Sequence, residues 1–577
     1  MLYKRFFVLT LLLSLITCRG FSAVAPVPFT ITTDKAAYKP GDRVIFSINK
    51  YLPSTTRVRY KLLGNVIRTA PLKATRWAWT TPSADFTGYM VEVYGTINGH
   101  EKIYATTAVD VSSDPARFPR NGFLSVYGKL SKQYMDSVLC SLNRYHINYV
   151  QFQDWEYEHH KPLAGTVAMP EQQWKDIGSR DNYKNTVQNY IALAHQHNML
   201  TLHYNLIYGA LDNAKAEGVA DEWRLYTDNK HKNTERIPLP MPPFKSGLNI
   251  MDPANNGWQK YIAANTLEAW KVYGFDGYQI DQMGDLNKPL YDYDGNPVNM
   301  AATFGPFIKA MHKYMPGKRL VMNAVANYGQ AGIANSPVDF LYTEVWPPED
   351  GFKQLAGTIL HNDSLTNGKK RTVMPAYMDY DLAEKPGYFS TPGIVLADAV
   401  IFAFGGAHLE LGDHMLGKEY FPNDHLKMRD DLKAAMISYY DFLTAYENLL
   451  RDEGKLNTPK VSSADQKTKI NNWPPQRGQV SVVGKEIGNR QVLHFINFTN
   501  ANSLRWRDNK GTQVRPKTIL NPSFRFTSPK TVKKIWFASP DVNGGASTNI
   551  PYKQTGNTIS FTLPSLQYWD MVVVEYK

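Results

Sequence analysis

Short runs that alternate apolar and polar residues fill the N-terminal part of the chain, over residues 27–113. Arg43-Val-Ile-Phe-Ser-Ile and Gly88-Tyr-Met-Val-Glu-Val-Tyr are two such runs, and Pro, Gly and Asn separate them. A period of two is typical of strands with one buried face, and turns at this spacing are typical of a β-sandwich. We predict an immunoglobulin-like antiparallel sandwich over residues 23–115.

The pattern changes near Gly122 to strand-like runs that alternate with longer amphipathic runs, as far as Leu450. Eight strand–helix repeats predict a (β/α)8 TIM barrel over residues 116–460. The longest connection, Gly209 to Asp252, follows the third strand, and a connection of that length predicts a lid or rim of a site. The predicted strands are Gly122–Tyr127, Ile147–Gln153, Leu200–Asn205, Gly277–Asp281, Leu320–Ala324, Asp339–Glu344, Thr372–Met378 and Gly406–Leu411. The predicted helices include Lys132–Tyr145, Asn185–His197, Gly257–Tyr273, Phe304–Tyr314 and Thr391–Phe404.

Short alternating strands return from about Val461 to the end of the chain. Gln491-Val-Leu-His-Phe-Ile-Asn-Phe and Trp569-Asp-Met-Val-Val-Val-Glu-Tyr are examples. They predict a second antiparallel β-sandwich over residues 461–577. The predicted fold class is therefore multidomain α/β and β, with a TIM barrel flanked by an N-terminal immunoglobulin-like sandwich and a C-terminal sandwich.

The N-terminus has the pattern of a secretory signal, since two basic residues precede an apolar run from Phe6 to Ile16. That run is shorter than the roughly 20 residues that span a bilayer, so we predict that residues 1–22 are a signal peptide. Cys18 stands where bacterial lipoproteins carry an acylated cysteine, but Thr17 is larger than the residue usual before it. A lipid anchor at Cys18 and ordinary cleavage therefore both stay open. We predict export to the periplasm or cell surface of a Gram-negative bacterium, or secretion.

Cysteine content and charge narrow the class of partner. Besides Cys18 the chain has only Cys140, so we expect no disulfide within the mature chain, and the helical apolar pattern around Cys140 predicts a small core residue. The net charge is +12 for 577 residues, but the basic residues are scattered. Nucleic acid is therefore not predicted as a partner, and we predict a monomer.

Two predicted strands end in carboxylates. The run Gly277-Tyr-Gln-Ile-Asp281 ends in Asp281, and Asp339-Phe-Leu-Tyr-Thr-Glu344 ends in Glu344. Chemistry in a barrel sits at the C-terminal ends of the strands. Strands four and six have one strand between them, so their backbones lie roughly 10 Å apart at about 4.8 Å per strand. Inward-leaning side chains could reach the roughly 5–5.5 Å of retaining glycosidases, and the roughly 6.5–9.5 Å of inverting ones stays open.

The surroundings of the two carboxylates predict their roles. Glu344 lies among aromatic residues, where burial raises the pKa of a carboxyl group and favours a general acid. Asp281 has Gln279 and backbone donors nearby, which favours an ionised nucleophile. The alternatives are turn capping by Asp281 and Asp285 and an ion pair of Glu344 with a basic residue.

Further polar and aromatic residues follow the predicted strands, and together they suit a neutral, polyhydroxylated substrate. For the aromatic residues the alternative is a place in the core, and for the loop carboxylates it is a structural role. The predicted substrate-binding residues are Asp154, Trp155, His160, Lys161, His203, Tyr204, Asn205, Gln279, Asp285, Asn323, Trp346, Tyr377, Asp379 and Asp413.

The motifs of metal and cofactor sites are missing from the sequence. Asp154, His160 and Lys161 could form a fragment of a metal site, but the pair His159-His160 lacks the spacing of a zinc site. Calcium loops, phosphate-binding loops, dinucleotide fingerprints and nucleophile elbows do not occur. We predict no metal and no cofactor.

Three motifs together resemble glycoside hydrolase family 66, the family of dextranases. They are Asp154-Trp155 with His160-Lys161-Pro162, Gly277-Tyr-Gln-Ile-Asp281-Gln-Met-Gly-Asp285, and Asp339-Phe-Leu-Tyr-Thr-Glu344-Val-Trp346. The order of the three domains is similar too, so the resemblance covers nearly the whole chain. It implies a retaining endo-hydrolase of α-1,6-glucosidic bonds in dextran that releases isomaltooligosaccharides, with Asp281 in the place of the nucleophile and Glu344 in that of the acid/base.

The same family contains cycloisomaltooligosaccharide glucanotransferases, which resemble this architecture but carry a large carbohydrate-binding insertion after the seventh strand. Here only Asp379 to Ser390 separates that strand from its helix, so the sequence favours hydrolysis. An α-glycosidase for another linkage stays open. A non-catalytic glucan-binding surface protein is the alternative from another class, and the carboxylate pair argues against it because a binding protein needs no such pair.

Overall fold

The structure is a computed structural model that describes residues 29–452 and 454–577. The predicted signal peptide and Cys18 lie outside the described residues. Among the helices of the described part, none combines the length and the apolar character needed to cross a membrane. The fold is mixed, with α/β and all-β regions following one another along the chain.

Seven strands come before the central region: β1 (Ile31–Thr33), β2 (Arg43–Ile48), β3 (Arg57–Leu62), β4 (Asn65–Pro71), β5 (Arg76–Thr80), β6 (Thr87–Ile97) and β7 (His100–Val111). They form two antiparallel sheets in the orders β1-β2-β5 and β4-β3-β6-β7. Phe46 and Trp79 of the first sheet and Tyr60 and Val91 of the second belong to one buried cluster. The alternating residues of the sequence thus face a common core.

The central strands are β8 (Asn121–Leu124), β9 (Tyr149–Phe152), β10 (Gln173–Lys175), β11 (Asp181–Tyr183), β12 (Leu200–Leu206), β13 (Gly209–Ala210), β14 (Arg236–Ile237), β15 (Leu248–Ile250), β16 (Gly277–Asp281), β17 (Arg319–Met322), β18 (Leu341–Tyr342), β19 (Thr372–Pro375), β20 (Gly387–Tyr388), β21 (Ala407–Leu409) and β22 (Leu426–Lys427). Eight of them form two parallel sheets, a five-stranded sheet β17-β16-β12-β9-β8 and a three-stranded sheet β18-β19-β21, and β20 pairs with β22 in a separate parallel pair. Isolated parallel bridges, Asn323 with Tyr342 and Phe123 with Gly412, connect the edges of the two sheets. Each predicted strand overlaps one of these eight.

Helices connect these parallel strands and pack on one side of them. They are α1 (Lys132–Arg144), α2 (Lys184–Gln196), α3 (Asn256–Tyr273), α4 (Met300–Tyr314), α5 (Gln330–Ala334), α6 (Phe352–Thr366), α7 (Thr391–Ala403), α8 (Asp430–Ala445) and α9 (Glu447–Leu450). The five predicted helices agree closely with α1, α2, α3, α4 and α7. Local caps explain some of the boundaries: the side chain of Ser131 accepts a hydrogen bond at the start of α1, and left-handed Gly274 ends α3.

The C-terminal strands are β23 (Lys455–Asn457), β24 (Val461–Ser463), β25 (Ile470–Asn472), β26 (Val480–Ile487), β27 (Arg490–Asn497), β28 (Ile519–Leu520), β29 (Ser523–Thr527), β30 (Val532–Ala538), β31 (Thr548–Asn549), β32 (Tyr552–Thr555), β33 (Thr558–Thr562), β34 (Ser565–Leu566) and β35 (Trp569–Tyr576). A seven-stranded sheet contains β26, β27, β35 and β30, and a four-stranded sheet has the order β24-β29-β33-β32. Residues of both sheets, such as Phe495 and Phe524, share one buried cluster.

One prediction about a single residue is wrong. Cys140 lies on α1 but is exposed, with its Sγ 3.9 Å from both Asp136 Oδ2 and His197 Nε2. The apolar residues around it, such as Val138 and Leu139, face the core instead. The helical period therefore puts Cys140 on the outer side of the helix.

Candidate active site

A cavity of about 560 Å³ lies at the carboxyl ends of the central parallel strands. The connection predicted as a rim contributes apolar side chains to its wall, among them Leu239, Phe244 and Leu248. Tyr420 and Phe421 come from the segment after β21. The predicted site residues that line the cavity are Asp154, Tyr204, Gln279, Asp281, Asn323, Glu344, Trp346 and Tyr377.

The alternation of side chains along the strands brings these residues to one place. Leu202 and Val321 belong to the cluster enclosed by the parallel strands, and the residues two positions further on, Tyr204 and Asn323, continue the same face into the cavity. On β16, Asp281 lines the cavity whereas its neighbour Ile280 packs toward the helices. The pattern of apolar positions thus aims each polar side chain at the end of its strand.

One amide group connects the two predicted catalytic carboxylates. Asn323 Nδ2 donates to Asp281 Oδ1 at 2.9 Å and to Glu344 Oε2 at 2.8 Å. These two oxygens cannot lie further apart than the sum of those distances. Facing oxygens this close favour the roughly 5–5.5 Å between the carboxyl groups of retaining glycosidases over the roughly 6.5–9.5 Å of inverting ones.

Each carboxylate also accepts a hydrogen bond from a buried tyrosine. Tyr204 Oη donates to Asp281 Oδ2 at 2.8 Å, and Tyr377 Oη donates to Glu344 Oε1 at 2.8 Å. Both oxygens of each carboxylate are therefore held by neutral donors. Neutral donors orient a carboxylate without adding a charge that would fix its protonation state.

The surroundings of the two carboxyl groups act differently on their pKa values. Burial raises the pKa of Glu344 to about 7, and the negative charge of Asp281 contributes in the same direction. Burial also raises the pKa of Asp281, but hydrogen bonds from Asn323 and Tyr204 oppose that effect. These surroundings suit Glu344 to hold a proton near neutral pH, and the hydrogen bonds to Asp281 favour its ionised form.

His159 was missed as a site residue by the sequence analysis, although it lines the cavity. Its Nδ1 lies 2.8 Å from Glu156 Oε1 and 2.8 Å from Asn205 Oδ1. Burial lowers the pKa of His159, but the hydrogen bond and charge of Glu156 raise it overall. The Asn205 amide donates to the His159 carbonyl at 2.7 Å, so Asn205 positions the histidine instead of facing the cavity itself. The one signal in the sequence that could have identified His159 as a site residue is its position close to Asp154.

Asp154 and Trp346, both predicted to bind substrate, lie at the wall of the cavity. Asp154 has a positive φ of 48°, and burial together with the charge of Glu156 raises its pKa to about 7. The ring of Trp346 is partly exposed and lies 5.5 Å from that of Tyr377, centroid to centroid. Its accessible face is available for packing against an apolar sugar face.

Two residues predicted to bind substrate are core residues. Trp155 and His203 are fully buried, with ring centroids 5.1 Å apart, and both pack on Phe275. His203 Nδ1 accepts a hydrogen bond from Trp270 Nε1 at 3.2 Å. Neither side chain lines the cavity, so these two predictions are corrected: they hold β12 and the loop after β9 against α3.

Three predicted carboxylates stabilise loops outside the cavity. Asp379 Oδ2 accepts from the Ser390 backbone N–H at 2.7 Å, and Asp413 Oδ2 accepts from the Ser125 backbone N–H at 2.9 Å. Asp285 is exposed and accepts from the backbone N–H of the second residue after it. Such side chain to backbone bonds are usual in turns. These contacts favour the structural alternative for Asp285, Asp379 and Asp413.

His160 and Lys161 also lie away from the cavity. His160 is fully buried with its Nε2 3.0 Å from Glu217 Oε2, and Lys161 Nζ donates to Glu217 Oε1 at 3.1 Å. These contacts fasten the loop after β9 to the connection between β13 and β15. The motif that suggested a metal fragment thus joins two segments of the rim.

Among the described residues, two groups are close enough to hold a metal ion. In the first, Glu158, His160 and Glu217, the Leu211 N–H faces His160 Nδ1 at 3.4 Å, which leaves the proton of the neutral ring on Nε2 beside the carboxylates. In the second, His408 Nδ1 lies 2.8 Å from Asp398 and 3.1 Å from Glu410. These are hydrogen-bond separations. The absence of a metal from the reaction stays a prediction.

Two carboxyl groups close together in a cavity walled by tyrosines and amides are compatible with the chemistry of glycoside hydrolysis. The chain belongs to glycosyl hydrolase family 66, whose sequence model matches residues 33–573.

Relatives of two activities are similar to the chain. It is 28% identical to a cycloisomaltooligosaccharide glucanotransferase of Niallia circulans, over 94% of this chain and 72% of that one. It is 24% identical to a dextranase of Streptococcus salivarius, over 85% of this chain and 67% of that one. A solved structure of a Paenibacillus sp. cycloisomaltooligosaccharide glucanotransferase, complexed with cycloisomaltoheptaose, superposes with a TM-score of 0.83 and 26% identity, over 94% of this chain and 99% of that one. The chain is thus a family 66 glycosidase acting on α-glucans.

Proposed function

We propose that this chain is a retaining endo-hydrolase of α-1,6-glucosidic bonds in dextran and that it releases isomaltooligosaccharides. The observation that carries the proposal is the Asn323 amide, which bonds to both Asp281 and Glu344 and so keeps facing oxygens of the two carboxyls at a distance that supports a retaining mechanism. The family and the dextranase among its relatives support the substrate class. The substrate partner is therefore a neutral polysaccharide.

We also propose that the central region is a (β/α)8 barrel over residues 116–460, between sandwiches over residues 23–115 and 461–577. The parallel pairings of eight strands, with two bridges joining the edge strands, support a closed arrangement. The position of the cavity at the carboxyl ends of the strands is the one that this fold uses for catalysis. Export of the protein is part of the same proposal, since dextran is an extracellular polymer too large to enter a cell.

In the proposed reaction, an Asp281 oxygen attacks the anomeric carbon while the bond to the glycosidic oxygen breaks. Glu344 gives its proton to that leaving oxygen, which frees the first product with a new hydroxyl group. A water molecule then gives a proton to the Glu344 carboxylate and attacks the anomeric carbon, so that Asp281 leaves. Two inversions restore the α configuration.

The short connection after β19 favours hydrolysis over cyclisation. Between β19 and α7 there are only two short elements, and the segment Asp379 to Ser390 holds no further domain. The alignment with the first Niallia circulans relative runs over 707 positions, whereas this chain has 577 residues, so at least 707 less 577, or 130, positions have no counterpart here. This chain therefore lacks material that the relative carries within the aligned span.

The second candidate function is formation of cyclic isomaltooligosaccharides. Two relatives, at 28% and 26% identity, and the similar solved structure are all glucanotransferases of that kind. The two reactions share the glycosyl-enzyme intermediate and differ in the acceptor, which is water or the far end of the same glucan chain.

Incubation of the purified protein with dextran tests these functions together. Hydrolysis produces linear oligosaccharides with one new reducing end for each bond cleaved, whereas cyclisation produces rings without reducing ends and with a mass lower by one water. Reducing-end assays and mass spectrometry of the products distinguish the two. Dextran that is bound but not shortened would instead support the glucan-binding protein, and cleavage of starch but not of dextran would support another linkage.

Active-site variants provide the matched controls. We expect Asp281→Asn and Glu344→Gln each to lower kcat by roughly 10⁴-fold or more, since each removes a group that acts in the transition state. Asp285→Asn, four residues after Asp281 but outside the cavity, should keep its activity. Full activity in either of the first two variants would refute the assigned roles.

A further inference from the structure

A segment of the C-terminal region, residues 501–513 between β27 and β28, crosses to the loops at the carboxyl ends of β18 and β19. Trp506 Nε1 donates to the Glu349 carbonyl at 2.6 Å, and the Asp379 backbone N–H donates to the Arg507 carbonyl at 2.9 Å. The Asp381 N–H donates to the Asn509 carbonyl at 3.0 Å. The segment therefore bonds to the loop after β18 and to the loop after β19, and not only to the sheets of its own region.

Arg507 is the most buried charged residue of this segment, with 5% of its surface exposed. Its Nη2 donates to the Val345 carbonyl at 2.7 Å and its Nη1 donates to the Tyr377 carbonyl at 3.2 Å. The guanidinium carbon lies 5.3 Å from the ring centroid of Trp346 and 4.7 Å from that of Trp506. A planar guanidinium can donate in two directions and stack on indole rings at once.

Both carbonyls belong to residues that hold the predicted acid. Val345 directly follows Glu344 in the chain, and Tyr377 donates its phenol hydrogen to Glu344 Oε1 at 2.8 Å. One guanidinium thus fixes the backbone next to the acid and the backbone of the residue that orients it. Loss of the two hydrogen bonds from the Arg507 guanidinium would let Glu344 and Tyr377 move relative to each other.

We propose that Arg507 is a positioning residue for Glu344, contributed by the C-terminal region. The proposal rests on the proposed function for the role of Glu344 as acid. Arg507 does not face the cavity and contacts no reacting atom. It acts through Val345 and Tyr377, by keeping the phenol of Tyr377 aligned with the carboxyl of Glu344.

The test measures the pKa of Glu344 in the full chain by ¹³C NMR of side-chain-labelled glutamate, with the signal assigned by its loss in Glu344→Gln. Arg507→Lys keeps the charge but lacks the planar fork whose two nitrogen atoms are each directed at one carbonyl. The hydrogen bond from Tyr377 lowers the pKa of Glu344, so weakening it raises that pKa above the wild-type value. We expect kcat to fall by about 10- to 100-fold, with KM changed by less than about two-fold, as in misalignment of a catalytic group.

Arg505→Lys is the matched control, because Arg505 lies in the same segment but is exposed. It should leave kcat and the Glu344 pKa at their wild-type values. Arg507→Gln is the second variant in case the lysine variant does not fold, and both its lost bonds and its lost charge act to raise the Glu344 pKa. Circular dichroism and the thermal midpoint establish which variants are folded.

The double variant identifies the route. Tyr377→Phe should raise the Glu344 pKa by itself, and adding Arg507→Lys to it should raise that pKa no further, because the two changes act on the same bond. A wild-type Glu344 pKa in either folded Arg507 variant, or full additivity with Tyr377→Phe, would overturn the proposal. The titration needs no substrate, so a chain that cleaves no dextran refutes the proposed function while the titration still decides the role of Arg507.

Discussion

At the scale of single residues, the site depends on a difference between two carboxyl groups that share one amide donor. The negative charge of Asp281 raises the pKa of Glu344, second only to burial. Asp281→Asn should therefore lower the Glu344 pKa below its value of about 7. The ¹³C NMR titration of labelled glutamate checks this. Asp285→Asn, whose carboxylate is exposed and outside the cavity, should leave the pKa unchanged, and an unchanged pKa in Asp281→Asn would show that the two groups do not interact.

The same two groups predict the pH dependence of the reaction. Glu344 must be protonated to act as the acid, so kcat/KM should fall as the pH rises through about 7. Asp281 must be ionised, and because its pKa is raised as well, the acidic limb should lie above the range usual for aspartate. A profile of kcat/KM against pH for dextran, in buffers of constant ionic strength, measures both limbs. Constant activity far above neutral pH would contradict the assignment of Glu344 as acid.

At the scale of elements, the strand pattern predicted the site better than the residue types did. Alternation places Tyr204, Asn323 and Glu344 on inward faces, and this follows from period two alone. Trp155 and His203 are of residue types that often bind sugars, but in this fold they pack against α3. Which aromatic residue faces a cavity and which faces a helix depends on loop geometry and on the neighbouring element, and neither is encoded in local periodicity.

Gly277 provides a prediction about the strand that carries Asp281. A Cβ atom at Gly277 would lie 2.5 Å from the Arg319 carbonyl oxygen, in the register pair between β16 and β17. Because backbone cannot easily move away, Gly277→Ala should lower the free energy of unfolding by about 1–3 kcal/mol. Gly357→Ala on α6 is the control: its Cβ meets nothing within 4 Å, so it should raise the stability by up to about 1 kcal/mol. Urea unfolding followed by circular dichroism compares the two, and equal stability of Gly277→Ala and wild type would contradict the clash.

At the scale of the whole molecule, contacts between regions carry information that the linear pattern does not contain. Arg120, just before β8, pairs with Asp110 of β7 and, at 3.0 Å, with Glu447 of α9. Arg507 likewise reaches from the C-terminal region to the loops after β18 and β19. The residues that Arg120 and Arg507 contact are mostly far away in the sequence. Because charged residues are usually solvated, the sequence gave no reason to predict that these two arginines are buried.

The buried group around Arg120 predicts how the regions unfold. All three side chains are fully buried, and removal of the guanidinium would take away the cation that pairs with both Asp110 and Glu447, so that Glu447 would keep only the more distant charge of Arg451. Arg120→Ala should therefore lower the free energy of unfolding by about 3–5 kcal/mol, the usual penalty for breaking a buried pair.

Since Asp110 and Arg120 lie on opposite sides of the boundary between the N-terminal sheets and the central region, we also expect the calorimetric transition of Arg120→Ala to separate into two steps. Arg43→Ala, at an exposed position of β2, should change stability by less than about 0.5 kcal/mol. A single transition at the wild-type midpoint in Arg120→Ala would contradict this prediction. It would show that the ion pairs of Arg120 add no measurable stability and that buried apolar surface alone holds the regions together.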